Sequence, residues 1–124
     1  MPKALVVDDS RAIRMILVKT LVQSGFDVVQ AANGREALET MEREGASIGL
    51  VLLDWNMPEV SGIEVLEKLR AQSAFDGVRL VMVTTETEIE QMARALAAGA
   101  DEYVMKPFTR EAVQDKLRMI GVLQ

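Results

Sequence analysis

The sequence predicts an α/β fold in which five βα units form a doubly wound parallel sheet with helices on both faces. Three observations support this prediction. Short apolar runs alternate with segments of helical periodicity along the chain. The runs are nearly continuous, which is typical of strands buried on both faces of a parallel sheet. The connections are short, and no repeat or low-complexity stretch interrupts the alternation, so all five units belong to one sheet.

The predicted strands are four apolar runs and a weaker fifth. In chain order they cover residues 5–7, 27–31 (the weaker one), 50–53, 80–83 and 103–105. Four of them end directly before a residue that can take part in phosphate chemistry: Asp8, Asp54, Thr84 and Lys106. Because the carboxyl ends of parallel strands lie at the same edge of a sheet, we expect these side chains to lie together.

Segments of helical spacing lie between the strands, and each places its apolar residues on one helix face. Those residues are Ile13, Ile16, Leu17 and Leu21; Ala37, Leu38 and Met41; Ile63, Leu66 and Leu69; Ile89, Met92, Ala93 and Leu96; and Val113, Leu117 and Ile120. Capping residues and glycines delimit the helices. They are Ser10, Asn33, Ser61 and Thr109 at the N-termini, and Gly25, Gly45 and Gly99 beyond the C-termini.

The composition limits the classes of function. Of the 124 residues, 49% are hydrophobic, which is enough for the core of one domain. A net charge of −5 argues against binding to nucleic acid or acidic membranes. The chain has no cysteine and no histidine, which excludes disulfides, the common zinc sites and a phosphohistidine on this chain. The N-terminus lacks the long apolar core of a secretory signal, so we expect a cytoplasmic protein.

Both a Rossmann and a flavodoxin-like strand order fit this pattern. In the flavodoxin-like order, 2-1-3-4-5, the first and third strands are neighbours about 4.8 Å apart. Asp8 or Asp9 then lies within one or two such spacings of Asp54. Lys106 starts farther away, on the fifth strand, but its side chain is long enough to reach them.

The three carboxylates of Asp8, Asp9 and Asp54 would repel one another at such a site. Two like charges about 5 Å apart repel by about 3 kcal/mol at an effective dielectric near 20. A raised carboxyl pKa, the ammonium of Lys106 or a bound divalent cation can offset this repulsion. Because only oxygen ligands are available, the sequence favours Mg²⁺ or a similar hard cation over zinc.

Asp54 is the best candidate for a nucleophile, because it stands alone at its strand end and leaves Asp8 and Asp9 to hold the metal. A carboxylate beside a metal can attack phosphorus and become an acyl phosphate. Thr84 can then donate a hydrogen bond to the phosphoryl oxygens, and Lys106 can neutralise their charge.

These motifs resemble the signature of the response-regulator receiver domain. The matching residues are Asp8-Asp9; Asp54 with Asn56, Met57 and Pro58; Gly62; Thr84; and Lys106-Pro107-Phe108. The resemblance covers the whole chain and is strongest to the single-domain chemotaxis members of the family. It implies a flavodoxin-like (βα)5 sheet of order 2-1-3-4-5, and one receiver domain over residues 1–124 with no output domain.

The resemblance also implies a magnesium site and a phosphoacceptor. Asp54 would accept the phosphoryl group, and Asp9 and Asp54 would bind Mg²⁺. The backbone carbonyl of Asn56 would be a third ligand, and Asp8 would act partly through water.

Thr84 and Tyr103 would form a switch pair, according to the same resemblance. Thr84 would move toward the phosphoryl group, and Tyr103 would swing inward into the space that it leaves. Lys106 would contact the phosphoryl group, and its peptide bond to Pro107 is expected to be cis, an isomer seen in about 5 to 6% of X-Pro bonds.

The implied function is that of a switch protein whose only chemistry is on itself, not that of an enzyme. A histidine kinase, expected to be a chemotaxis kinase, would phosphorylate the chain. Phosphorylation would change the affinity of the chain for a downstream protein, and the expected target is the flagellar motor switch. A phosphorelay shuttle, a phosphate sink, or a regulator of a kinase or enzyme are the alternative roles. A monomer without nucleic-acid or membrane partners is expected.

Residues next to the phosphoacceptor carry further expectations. Asn56 and Glu86 stand where the family sets its dephosphorylation rate, and both match the type with a short-lived signal. Thr85 departs from the small residue that is usual there, so it is expected to narrow access for phosphodonors. Trp55, the only tryptophan, is expected to be a partly exposed reporter beside the metal.

Two other classes of function fit less well. A phosphatase of the haloacid-dehalogenase type needs its nucleophile and acid two residues apart after the first strand, where this chain has Asp8 and Ser10. A flavodoxin-like electron carrier needs a loop rich in Ser, Thr and Gly at that place. Flavin absorbance of the purified protein would identify such a carrier.

Overall fold

The protein adopts the predicted α/β fold with a parallel sheet. The computed structural model describes residues 2–85 and 89–123. Its strands are β1 (Lys3–Val7), β2 (Asp27–Ala31), β3 (Ile48–Leu53), β4 (Arg79–Thr84) and β5 (Glu102–Met105). Its helices are α1 (Arg11–Gln23), α2 (Gly34–Glu44), α3 (Gly62–Arg70), α4 (Ile89–Ala97) and α5 (Arg110–Met119). The strand order is β2-β1-β3-β4-β5, so the predicted flavodoxin-like order is confirmed.

Alternation along the strands divides the core into two layers. In β1, Leu5 and Val7 face the layer that contains α2, α3 and α4, whereas Ala4 and Val6 face the layer that contains α1 and α5. All four side chains are buried. The sheet is therefore covered on both faces, which is why its strands read as unbroken apolar runs in the sequence.

The register between β1 and β3 has one irregularity that determines where the strands end. Lys3 pairs with Ile48, but Ala4 pairs with Leu50, so Gly49 is skipped. After this shift the pairing is regular up to Val7 and Leu53. The two strands therefore leave the sheet at the same level, and the residues that follow them are neighbours.

The predicted N-caps are all confirmed. Each cap side chain accepts a hydrogen bond from the backbone N–H three residues later, in the pairs Ser10 and Ile13, Asn33 and Glu36, Ser61 and Glu64, and Thr109 and Ala112. These bonds satisfy N–H groups that have no partner inside the helix.

All three glycines lie just beyond a helix C-terminus, as predicted, but only two of them have the left-handed conformation that is usual there. Gly25 and Gly99 have φ values of 96° and 113°, in the left-handed region. Gly45 has φ −57°, because the chain continues there into a short 3-10 helix, Gly45–Ser47. A Cβ on Gly45 would lie 2.4 Å from the ring of Phe75, so the glycine is needed there for close packing.

Three of the predicted core residues are wrong. Ile16 and Leu96 are 50% and 51% exposed, and Ala93 is exposed as well, although all three have the helical spacing of core residues. Leu17, next to Ile16, is buried. Both helices are apolar on more than one side, so their periodicity does not identify the buried face. The side chain of Ile89 lies outside the described residues.

No helix in the described part of the chain is both long and apolar enough to cross a membrane.

Candidate functional site

Asp8 and Asp54 are brought together by the pairing of β1 with β3. The backbone N–H of Asp54 donates to the carbonyl oxygen of Val7 at 2.9 Å, which continues the β1–β3 ladder by one residue. Both side chains are buried, and that of Asp54 is only 6% exposed. The two aspartates therefore lie together at the carboxyl edge of the sheet, as the sequence predicts, and both are buried there.

Lys106 reaches these carboxylates from β5, across β4. Its backbone N–H donates to the carbonyl oxygen of Thr84 at 2.8 Å, which fixes its starting point. Its Nζ lies 2.8 Å from Oδ2 of Asp8 and 3.3 Å from Oδ1 of Asp54. The predicted meeting of the lysine with both aspartates is therefore present, and the ammonium bridges them.

Asp9 completes an acidic cluster, defined here as Asp8, Asp9 and Asp54. One carboxylate oxygen from each residue lies within 4.8 Å of the others. Asp9 differs from its partners because it is exposed. The cluster therefore combines two fixed, buried carboxylates with one that can adjust to a ligand from solvent.

The charges of the site alter the pKa of Asp54 in opposite directions. The pKa of Asp54 is raised from 3.8 to about 6, because burial and the charges of Asp8 and Asp9 raise it by more than Lys106 lowers it. For Lys106, burial acts to lower the pKa, but its hydrogen bond to Asp8 and the charge of Asp54 raise it above the usual value. At neutral pH the site therefore holds a charged lysine and a mostly ionised Asp54.

Asp8 is held through its main chain and its side chain. The N–H of Asp8 donates to the carbonyl oxygen of Ala31 at 3.2 Å, and Oδ1 accepts from the N–H of Ser10 at 2.8 Å. The guanidinium of Arg14 donates from Nη1 to the carbonyl oxygen of Asp8 at 2.7 Å. Sequence reasoning missed Arg14, because an arginine in the first turns of a helix is ordinarily read as part of a solvated face.

Gly62, part of the motif quoted above, allows α3 to start directly behind Asp54. A Cβ on Gly62 would lie 2.0 Å from the carbonyl oxygen of Asp54 and 2.9 Å from the Cα of Trp55. The N–H of Gly62 donates to the carbonyl oxygen of Trp55 at 2.9 Å. The glycine thus permits a backbone contact that holds the loop after β3 against the helix.

Thr84 and Tyr103 lie on the same face of the sheet, next to the site. Thr84 is fully buried, and Tyr103 is 4% exposed, so its ring is already inside the protein. Tyr103 pairs with Met82, two residues before Thr84 on β4, and side chains two residues apart share a face. The two predicted switch residues are therefore diagonal neighbours.

The remaining predicted residues differ in position. Asn56 and Thr85 are exposed, and Glu86 lies outside the described residues. The expectation for Trp55 is wrong, because Trp55 is 7% exposed and belongs to the core layer that contains α2, α3 and α4. The peptide bond between Lys106 and Pro107 is cis, as expected.

The acidic cluster fits a small hard cation. A single Mg²⁺ with oxygen ligands at about 2.1 Å holds them within about 4.2 Å of one another. The carboxylate oxygens of the cluster lie within 4.8 Å of one another, so the residues present could hold such an ion. Carboxylates in excess over Lys106 supply the negative charge that such an ion needs.

Comparisons with known proteins agree with this geometry. The family model of the response regulator receiver domain matches residues 4–118. The chain is 39% identical over 119 residues to the chemotaxis protein CheY1 of Helicobacter pylori, with 95% of each chain covered. It is 39% identical over 116 residues to a chemotaxis protein CheY homolog of Campylobacter jejuni, covering 93% of this chain and 88% of the relative.

A solved structure, that of the chemotaxis response regulator CheY4 of Vibrio cholerae, has the same fold. It superposes with a TM-score of 0.89 at 36% sequence identity, over 97% of this chain and 98% of that chain. The family match, the two relatives and the strand order all point to one conclusion. The chain belongs to the response regulator receiver family of two-component systems, and within it resembles the CheY proteins.

Proposed function

We propose that this chain is a phosphorylation-controlled switch in which Asp54 accepts a phosphoryl group from a histidine kinase. The observation that carries the proposal is a buried, mostly ionised carboxylate beside both a lysine and further carboxylates. Oδ1 of Asp54 lies 3.3 Å from Nζ of Lys106, within the acidic cluster. Such a group can act as a nucleophile toward phosphorus.

In the proposed step, a carboxylate oxygen of Asp54 forms a bond to the phosphorus of the kinase phosphohistidine. The P–N bond breaks, its electron pair stays on the imidazole nitrogen, and that nitrogen takes up a proton. Asp54 becomes an acyl phosphate. Lys106 and Thr84 stabilise the phosphoryl oxygens, one by charge and the other by its hydroxyl. Hydrolysis of the acyl phosphate ends the signal, so the chain modifies only itself.

The proposed metal ligands are Asp8, Asp9, Asp54 and the backbone carbonyl of Asn56. When bound, Mg²⁺ would neutralise charge on the carboxylates and on the phosphoryl oxygens. Asp8 and Asp54 are buried and held by Lys106, which would keep them oriented before the ion enters. The exposed Asp9 would complete the set.

The proposed signal travels from Thr84 to Tyr103. Thr84 would turn toward the phosphoryl group, and Tyr103 would secure the inward position that it already occupies. Tyr103 also lines a surface groove between α4, β5 and α5, together with Met92, Leu96, Met105, Pro107 and Lys116. A change at this ring would therefore reach the groove, which is the proposed binding surface for the target.

The proposed target is the flagellar motor switch, and the proposed kinase is a chemotaxis kinase. This proposal is supported by the similarity to proteins named for chemotaxis. We further propose that the chain acts as a single cytoplasmic receiver domain and a monomer. A phosphorelay shuttle, a phosphate sink or a regulator of another enzyme would use the same site with a different partner.

Acetyl phosphate with Mg²⁺ tests the phosphoacceptor directly. Mass spectrometry is expected to find one hydroxylamine-labile phosphoryl group per chain, and none in Asp54→Asn. Asp76→Asn, at an exposed position outside the site, is the matched control and should be labelled normally. An unlabelled unsubstituted protein, or equal labelling of Asp54→Asn at another residue, would contradict the proposal.

The partner is tested with the phosphorylated protein as bait. We expect purified flagellar motor switch protein to be retained only when Asp54 is phosphorylated. Retention of a histidine phosphotransfer protein instead, with no binding to the motor protein, would replace the motor role by that of a shuttle or sink.

A further inference from the structure

Arg14 contacts the main chain between the two neighbouring aspartates of the site, although it belongs to none of the motifs. We propose that Arg14 is a positioning residue, which holds the turn from β1 into α1 and thereby sets the affinity of the acidic cluster for Mg²⁺. This inference rests on the proposed magnesium-dependent function.

Arg14 donates hydrogen bonds to two different parts of the protein. Its Nη1 donates to the carbonyl oxygen of Asp8 at 2.7 Å, and its Nε donates to Oε1 of Gln30 on β2 at 3.3 Å. Arg14 is half-buried. Two bonds to different elements orient the planar guanidinium, so the Asp8 carbonyl is tied to both α1 and β2.

The other groups of the turn are held as well. Oδ1 of Asp8 accepts from the N–H of Ser10, and Oδ2 accepts from Lys106, both at 2.8 Å. Ser10 is in turn the N-cap of α1, whose hydroxyl accepts from the N–H of Ile13. Asp9 therefore lies between two fixed residues. Its side chain is exposed. The position of its backbone depends on that of the Asp8 carbonyl, which Arg14 holds.

This arrangement matters because Mg²⁺ needs near-ideal ligand geometry. Groups that orient metal ligands without touching the metal typically change metal affinity by about 10- to 100-fold. Arg14 is also a cation near the acidic cluster, and a cation by itself weakens the binding of another cation. The two effects of Arg14 on Mg²⁺ binding therefore oppose each other. Loss of its positioning role weakens binding, whereas loss of its positive charge strengthens binding.

Because the two effects change Mg²⁺ affinity in opposite directions, a binding experiment distinguishes them. Mg²⁺ binding to the full chain is measured by titration calorimetry. Arg14→Gln is expected to weaken Mg²⁺ binding about tenfold. Arg11→Gln is the matched control, because it removes the same charge from the exposed start of the same helix. It is expected to leave binding unchanged or slightly stronger. Arg14→Lys, which keeps the charge and one donor, should recover part of the affinity.

A metal-free readout separates positioning from the ion. In the unsubstituted protein without Mg²⁺, the Ser10 amide should be protected from hydrogen exchange by its bond to Asp8. We expect this protection to fall about tenfold in Arg14→Gln and to stay the same in Arg11→Gln. Gln30→Leu, which leaves Arg14 in place without its orienting partner, should shift both measurements in the same direction by a smaller amount.

Failures of the two proposals are distinguishable. If the unsubstituted protein does not bind Mg²⁺, the proposed function is contradicted. If it binds Mg²⁺ and Arg14→Gln binds as tightly as Arg11→Gln or more tightly, only the positioning role is overturned. Far-UV circular dichroism checks the fold of each variant, and Arg14→Lys and Gln30→Leu carry the same comparison should Arg14→Gln not fold.

Discussion

Two clusters of charged residues lie at opposite ends of the sheet, and they are balanced differently. At the carboxyl edge, the acidic cluster has three carboxylates, and the ammonium of Lys106 contacts two of them, those of Asp8 and Asp54. At the amino edge of β4 and β5, one carboxylate, that of Asp101, meets two cations, Arg70 and Arg79. The first cluster has unmatched negative charge, and the second has none.

The amino-edge cluster is built around Arg70. Its guanidinium donates to the carbonyl oxygens of Gly99, Phe75 and Val78 at 2.8 to 3.0 Å, and to Oδ2 of Asp101 at 2.9 Å. The same Asp101 oxygen accepts from the N–H of Leu80 at 2.8 Å. These bonds tie the end of α3 to the connection that leads into β4 and to the turn between α4 and β5.

The difference separates a structural cluster from a functional one. Paired charges with complete hydrogen bonds stabilise the fold and have no remaining capacity for a ligand. Burial and the neighbouring carboxylates make the ionised form of Asp54 less favourable in the folded protein, which its raised pKa reflects. Such a site is stabilised by a cation or by a reaction that it undergoes. Three substitutions test this distinction.

Loss of Arg70 from the amino-edge cluster should have the largest effect on the stability of the protein. Arg70→Met leaves three carbonyl groups and the Asp101 carboxylate without their donor, so we expect the free energy of unfolding to fall by about 3 kcal/mol. Urea denaturation measures it. Arg94→Met is the matched control, because Arg94 is exposed and 4.0 Å from Glu67, and it should cost less than about 0.5 kcal/mol. Equal losses in both variants would contradict the structural role of Arg70.

Loss of the charge of Asp54, the proposed phosphoacceptor, should have the opposite effect and stabilise the protein. The folded-state pKa of Asp54 is raised from 3.8 to about 6, so its stabilising contribution is complete below about pH 4 and is lost as the pH rises through about 6. Asp54→Asn cannot ionise. It should therefore be more stable than the unsubstituted protein by about 2 kcal/mol at about pH 7.5.

Urea denaturation between about pH 4 and pH 7.5 checks the sign of this effect. The stabilisation should disappear toward the acidic end. Asp76→Asn, which is exposed, should show no such dependence. A less stable Asp54→Asn at neutral pH would mean that Lys106 overcompensates the repulsion.

Removing the ammonium that bridges Asp8 and Asp54 should have the smallest effect. Lys106→Met leaves the acidic cluster without its counter-charge, so Mg²⁺ should bind about fivefold more tightly, which corresponds to about 1 kcal/mol. Calorimetric titration measures the affinity, with the exposed Lys68→Met as the control. Weaker Mg²⁺ binding in Lys106→Met would show that the lysine orients Asp8 and Asp54 more than it competes with the ion.

The layout of the carboxyl edge was predictable because it follows from local rules. Unbroken apolar runs indicated a parallel sheet, and residues directly after such runs must lie at one edge. Asp8, Asp54 and Lys106 were found in this way, and the capping residues were equally readable. The buried faces of α1 and α4 were not, since Ile16 and Leu96 have the spacing of core residues and yet face solvent.

Contacts that form only in the folded chain account for what the sequence left undetermined. Arg14 and Arg70 resemble ordinary surface residues of a helix, and only folding brings the Asp8 carbonyl to one and Asp101 to the other. Trp55 lies in the loop directly after Asp54, where an exposed side chain was expected. Its large ring instead joins the core, and the residue is only 7% exposed.

The sequence by itself determined the strands, the caps and the order in which aspartates, threonine and lysine follow the strands, because these depend on neighbours in the chain. The tertiary structure decided the balance of charge. The pKa of Asp54 and the bridge made by Lys106 depend on burial and on distances between residues far apart in sequence. No local pattern encodes those distances, since the packing of the whole sheet sets them.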